Sequence, residues 1–191
     1  MPNLKSDFPQ LTTARCVLRR IRQSDRAALF AGLSHPEVIA YYGISYTSEE
    51  ATQEQLDWYQ AQELTNSGVW WGICLAEQGG DNLIGTCGIY EIDDHNRNAD
   101  VGYWLLPEYW GTGLMQECLR SILAYGFNVR QLHRIEAEVE HGNMASVRLL
   151  QKLDFRWEGR RQQVAWRDDH FVDLNYYALL APNFQVSPHQ T

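Results

Sequence analysis

Apolar and polar positions along this chain fall into strand-like and helix-like stretches in a regular order. Alternation over residues 16–21 predicts a first strand. Ser24 is placed to cap a helix over 26–33, and His35-Pro36 interrupts it. Thr47-Ser48-Glu49-Glu50 reads as the start of a helix reaching Leu64, because acids favour a first turn. It ends before Asn66-Ser67-Gly68. Strands are expected over 69–76 and 83–92, joined by the turn Gly79-Gly80-Asp81-Asn82. The polar run 93–98 leads into a strand over 99–106, which Pro107 ends because it cannot donate to a ladder. From 114 to 128 the spacing places Leu114, Cys118, Leu119, Ile122 and Leu123 on one helical face. A strand over 133–139, a short helix over 146–153 and an antiparallel pair, 157–166 and 170–180, around Arg167-Asp168-Asp169 complete the pattern.

Strand pairs come first and strand–helix–strand units follow. This order predicts one mixed α/β domain over residues 1–191, with a mixed sheet of about seven strands and helices on both faces. Residues 1–11 and 182–191 are expected to be loose tails. At 191 residues, 45% of them hydrophobic, the chain can bury a substantial core. No apolar run is long enough to span a bilayer, and the N-terminus has no apolar signal core. Cys16, Cys74, Cys87 and Cys118 sit in apolar runs without zinc-type spacing, which predicts buried, reduced thiols and a cytoplasmic protein. Six scattered histidines suggest no metal site. The net charge of −8 argues against a nucleic-acid partner and suits a cationic amine.

The densest chemical signal is Pro107-Glu108-Tyr109-Trp110-Gly111-Thr112-Gly113-Leu114-Met115-Gln116, between a strand and a helix start. Glycines let a ligand approach the backbone closely. The first helical N–H groups lack intrahelical partners and carry the positive end of the dipole. The segment is therefore an anion cradle of pyrophosphate size. No Gly-Lys-Ser/Thr follows, which argues against a P-loop, and the third glycine of the dinucleotide fingerprint is missing.

This stretch, preceded by Gly102-Tyr103-Trp104-Leu105, resembles the acetyl-CoA loop of the GNAT superfamily, in particular its Rim-type branch acting on ribosomal-protein N-termini. Trp110 and Met115 depart from the general loop consensus. A second segment, Asn143-Met144-Ala145-Ser146 to Lys152-Leu153-Asp154-Phe155, is similar to that branch's Asn-x-x-Ser motif, with Asp154 where glycine is usual.

The resemblance implies a strongly twisted sheet in which the strands at 99–106 and 133–139 splay apart around acetyl-CoA. It puts the main chain of Trp104, Leu105 and Leu106 against the thioester, and Gly111, Thr112, Gly113, Leu114, Met115 and Gln116 around the pyrophosphate. Asn143 is implied at the pantetheine or acetyl group, with a helix cap as its alternative role. Arg148 and Lys152 are candidate cations near the cofactor. For catalysis it implies Asp100 as base, acting through water, and Ser146 as the group that protonates the departing thiolate. The tyrosine many members use falls at Leu150, and the glutamate of some relatives falls at Ala165, so Glu158 or Tyr177 enter as substitutes. Tyr41 and Tyr42 are expected at the acceptor.

The function implied is acetyl transfer to a primary amine, foremost the N-terminal α-amine of a protein. Missing strong bases tilt the choice that way, since an α-amine is far more often neutral than a lysine amine. Two alternatives stand: a small amine acceptor (antibiotic, aminoacyl-nucleotide or polyamine) and a non-catalytic acyl-CoA-binding module. The resemblance implies a monomer or homodimer.

Overall fold

The alternating segments pair into one open sheet, seen in a computed structural model that describes residues 8–167 and 169–184. Its strands are β1 (Leu11–Thr12), β2 (Cys16–Arg20), β3 (Val69–Leu75), β4 (Leu83–Asp93), β5 (Asn98–Leu105), β6 (Arg134–Glu140), β7 (Arg156–Arg167) and β8 (His170–Leu180). They lie in the order β1-β2-β3-β4-β5-β6-β8-β7. The order of predicted elements carries over, with the two-residue β1 added at the edge.

Every neighbouring pair is antiparallel except β5 and β6. That parallel pair is short: Asn98–Arg134, Ala99–Ile135 and Asp100–Glu136. Beyond Asp100, β5 continues beside β4 as far as Leu105, and β6 continues beside β8 as far as Glu140. The two strands therefore diverge in mid-sheet and open a wedge.

Helices α1 (Arg26–Leu33), α2 (Pro36–Ile39), α3 (Gln53–Thr65), α4 (Leu114–Ala124) and α5 (Met144–Lys152) flank the sheet. Side chains alternate between strand faces, so each face has its own core. One core joins Leu29 and Leu33 of α1 and Leu56 and Tyr59 of α3 to Trp70, Cys74 and Trp104. The other joins Cys118, Leu119, Ile122 and Leu123 of α4 and Val147 and Leu150 of α5 to Trp71, Ile89, Val101 and Ile135. β3 is buried at every position because both cores close over it. All four cysteines are buried free thiols.

Four local readings are corrected. The helix expected from Thr47 begins at Gln53, because Ser48 builds a turn instead: its Oγ accepts from the Ala51 N–H at 3.1 Å. The cap expected at Ser24 is replaced by Asp25, which accepts the Arg22 N–H at 2.7 Å and holds the buried Arg19 guanidinium through two 2.8 Å bonds. The helix expected to reach 128 is α-helical only to Ala124 and continues as a π turn over Tyr125–Val129. The ends assigned as loose are docked where they are described. Phe8 packs edge-on to Trp71, the Trp71 indole donates to the Pro9 carbonyl at 2.6 Å, and Phe184 lies on Phe127. The remaining tail positions, 1–7 and 185–191, lie outside the described residues.

Candidate active site

The loop after β5 forms a bend at the mouth of the wedge. A 3-10 turn over Pro107–Tyr109 lifts the chain out of the sheet, and α4 starts at Leu114. Gly111 (φ +73°) and Gly113 (φ +83°) are left-handed, a conformation that favours glycine. A Cβ added at Gly111 meets nothing within 4 Å, and one at Gly113 meets only the Arg15 guanidinium at 3.6 Å. The space over the bend is thus open and bordered by a cation. Thr112 turns its hydroxyl to the Tyr109 carbonyl at 2.7 Å, so the loop offers its main chain to a ligand. The amides of Leu114, Met115 and Gln116 open α4 and have no intrahelical acceptor.

Arg15 carries no special motif, and the tertiary structure alone brings it here. Its Nη1 donates to the Thr112 carbonyl at 3.0 Å, and its Nε and backbone N–H each donate to Glu117 at 2.8 Å. Burial would raise the Glu117 carboxyl, but hydrogen bonds with Thr13 and Arg15 outweigh it and hold the group below its ordinary range. Arg148 and Lys152 stand exposed on α5.

Inside the wedge, main-chain direction decides which groups are free. The Leu106 N–H donates to the Ile84 carbonyl at 2.9 Å. Antiparallel residues alternate the side to which their N–H and C=O groups face. Leu106 and Trp104 therefore face β4, whereas Val101, Tyr103 and Leu105 face the wedge. The Leu105 carbonyl already accepts from the Trp110 indole at 2.6 Å, which leaves its N–H. Of the three residues expected against the thioester, Leu105 has the free main chain. The Trp104 side chain is buried against Gly32 of α1.

The second motif closes the opposite wall. Asn143 caps α5, its Oδ1 accepting the Ser146 N–H at 3.1 Å, so the helix-cap role is filled. The Ser146 hydroxyl lies 2.5 Å from the Tyr103 hydroxyl of β5. Leu150 points into the core with no exposure, and Ala165 pairs with Val172 far along the hairpin. Neither proposed substitute is both exposed and unpaired. Glu158 is bonded by Arg134, which holds it below its ordinary range, and Tyr177 is buried in the core on the α4–α5 side.

Asp100 is the last residue of β5 paired with β6, at the apex of the wedge. It faces Tyr90 across β4 and Glu136 across β6, with Glu91 and Glu138 near. Burial, then the negative charge of Glu91, Glu136 and Glu138, raises its carboxyl to about 7. A carboxylate with that value is a competent base near neutrality. Glu136 and Glu138 share a face of β6 by alternation, Glu91 sits in the irregularity of β4 between Tyr90 and Asp93 with φ +51°, and their convergence on Asp100 depends on that irregularity and on the parallel register.

Tyr41 and Tyr42 part company. Tyr41 is exposed beside Gly142, at the entrance to α5, and its carbonyl accepts from Arg167 at 3.2 Å. Arg167 also bonds Glu140 at 3.1 Å, linking the hairpin to this loop. Tyr42 turns inward against the Trp70–Tyr90 aromatic cluster, where burial pushes its phenol well above the ordinary range. Among the described residues no group of three or more His, Cys, Asp or Glu could hold a metal ion. No described helix is long and apolar enough to cross a membrane.

Comparison with known proteins agrees with this geometry. Residues 15–156 match the acetyltransferase (GNAT) domain. The uncharacterised N-acetyltransferase YoaA of Bacillus subtilis (strain 168) is 35% identical over 176 residues, spanning 92% of this chain and 98% of that one. RimL, a ribosomal-protein alpha-N-acetyltransferase solved with coenzyme A, superposes with a TM-score of 0.79 at 20% identity, over 89% of this chain and 96% of that one. The spermidine N-acetyltransferase of Vibrio cholerae, solved with CoA and spermine, gives 0.76 at 22% identity, over 88% and 97%. At such identities the two solved structures speak for the fold.

Proposed function

The chain belongs to the GNAT acetyltransferases and is an acetyl-CoA-dependent N-acetyltransferase; from that premise we propose that its acceptor is the N-terminal α-amine of a protein. The observation that carries this reading is the placement of Asp100, with a carboxyl near 7, at the apex of the wedge. An α-ammonium has an ordinary pKa of about 7.7–8.0, roughly one unit above that carboxyl, so proton transfer between them is nearly balanced. A lysine-type ammonium near 10.4 stands about three units higher and would cost about 4 kcal/mol to deprotonate onto Asp100.

The residues fit the cofactor. The open bend at Gly111 and Gly113, the first amides of α4 and Arg15 suit a diphosphate. The wedge-facing main chain of β5 suits the pantetheine arm. When bound, acetyl-CoA supplies a thioester whose carbonyl carbon accepts the amine. The Leu105 N–H is positioned as a donor for the developing oxyanion. Asp100 receives the amine's proton through water, and Ser146 faces the sulfur side of the wedge.

A second reading, a small polycationic amine, is favoured by one observation: Glu91, Glu136 and Glu138 surround Asp100 with negative charge. Thiol release measured on a panel of peptides with free N-termini, N-blocked lysine peptides, spermidine and spermine separates the two. The highest kcat/KM should fall on free-N-terminus peptides. A spermidine value above every peptide value would overturn the α-amine reading and leave the family assignment standing.

A further inference from the structure

The hydroxyl pair between Tyr103 and Ser146 joins the two walls of the wedge. Tyr103 stands on β5 beyond its last pair with β6, and Ser146 stands in the first turn of α5, which follows β6. Their oxygens are 2.5 Å apart. Two hydroxyls in one such bond use one hydrogen, and the other hydrogen is left to point elsewhere. Either hydroxyl could donate; burial keeps the phenol protonated, and as the more acidic group it is the better donor. The Ser146 amide is meanwhile held by the Asn143 carboxamide, which fixes the helix turn that carries the hydroxyl.

We propose that Tyr103 is a positioning residue: it donates to the Ser146 oxygen and thereby aims the serine's own hydrogen at the sulfur of coenzyme A. This rests on the reading that Ser146 faces that sulfur. In the reaction the amine nitrogen bonds to the acetyl carbon, and the carbon–sulfur bond breaks with its electron pair going to sulfur. The amine's proton passes to Asp100 and from there to water. The Ser146 O–H hydrogen-bonds the thiolate, which takes its proton from water on release, so no net proton is gained or lost by the protein.

The test compares wild type, Y103F, S146A and the double variant with coenzyme A itself. The ionisation of the bound thiol is followed by the ultraviolet absorbance of its thiolate, and kcat and KM are measured separately. Y103F keeps the ring, and thermal melting checks that every variant is folded. Y103F and S146A should each raise the bound thiol's pKa by about one pH unit, the shift expected from losing one charge-assisted hydrogen bond. Each should lower kcat about tenfold with KM for acetyl-CoA nearly unchanged, and the double variant should be no worse than S146A. A shift in S146A with none in Y103F overturns the positioning role and leaves the serine in place. Wild-type behaviour in S146A, by thiol titration and by kcat, overturns the serine reading and the proposal with it.

Discussion

The two ends of the wedge are built from different material. At the mouth, the bend proposed for the pyrophosphate offers backbone: left-handed Gly111 and Gly113, the first amides of α4, and a threonine whose hydroxyl is turned into the loop. At the apex, the end proposed for the acceptor offers side chains: Asp100 and its three glutamate neighbours. A backbone site needs a path of the chain, not particular side chains, which explains how Trp110 and Met115 can depart from a consensus without spoiling the cradle. A side-chain site needs particular groups at particular distances, and there single substitutions change the chemistry.

The largest expected effect tests the backbone end. Gly113→Trp forces a bulky residue into a left-handed bend and fills the space above it, so coenzyme A affinity should fall by more than about a hundredfold by isothermal titration. Binding close to wild type would show that the cradle is not where the diphosphate sits.

Next comes the apex. Asp100→Asn should lower kcat/KM about a hundredfold at neutral pH and abolish the limb of the pH–rate profile near 7, with coenzyme A affinity retained. The same substitution has a stability signature. The Asp100 carboxyl is raised from an unfolded value near 4 to about 7, so in that window the folded state holds the extra proton and wild-type stability falls as pH rises. The melting temperature of the asparagine variant should therefore exceed that of wild type most above pH 7, and the gap should close on acidification towards pH 4. An unchanged gap across that range would show that neither burial nor Glu91, Glu136 and Glu138 raise this carboxyl.

The smallest effect sharpens the boundary between the two ends. Arg15→Ala removes the side-chain cation bonded to the loop carbonyl of Thr112. Coenzyme A affinity should weaken about tenfold, less at high salt, while kcat at saturating cofactor stays unchanged. A change in kcat instead would mean that the loop and the reacting centre are mechanically linked.

Much of the mouth could be read from the chain itself, because glycines beside a helix start act locally and the motif is contiguous. Trp110, in contrast, carried no advance sign that its indole would cap the Leu105 carbonyl. Nor did Tyr103 read as more than part of a strand, since its partner Ser146 lies 43 positions away. Arg15 is 97 positions from the loop carbonyl it bonds. The Ser48 turn misled for the opposite reason: the same serine and acids that open helices also close turns, and local pattern does not separate them.

Composition, alternation and the two motifs were enough to determine the order of elements, a mixed sheet with helices on both faces, and an open glycine bend before a helix start, because each depends on neighbours within a few residues. The splay after Asp100, the raised affinity of that carboxyl for its proton, and the meeting of Tyr103 with Ser146 were decided only when β5 and β6 settled into register. Charge, burial and hydrogen bonding between distant residues are properties of distance in space, and the linear chain does not contain those distances until it folds.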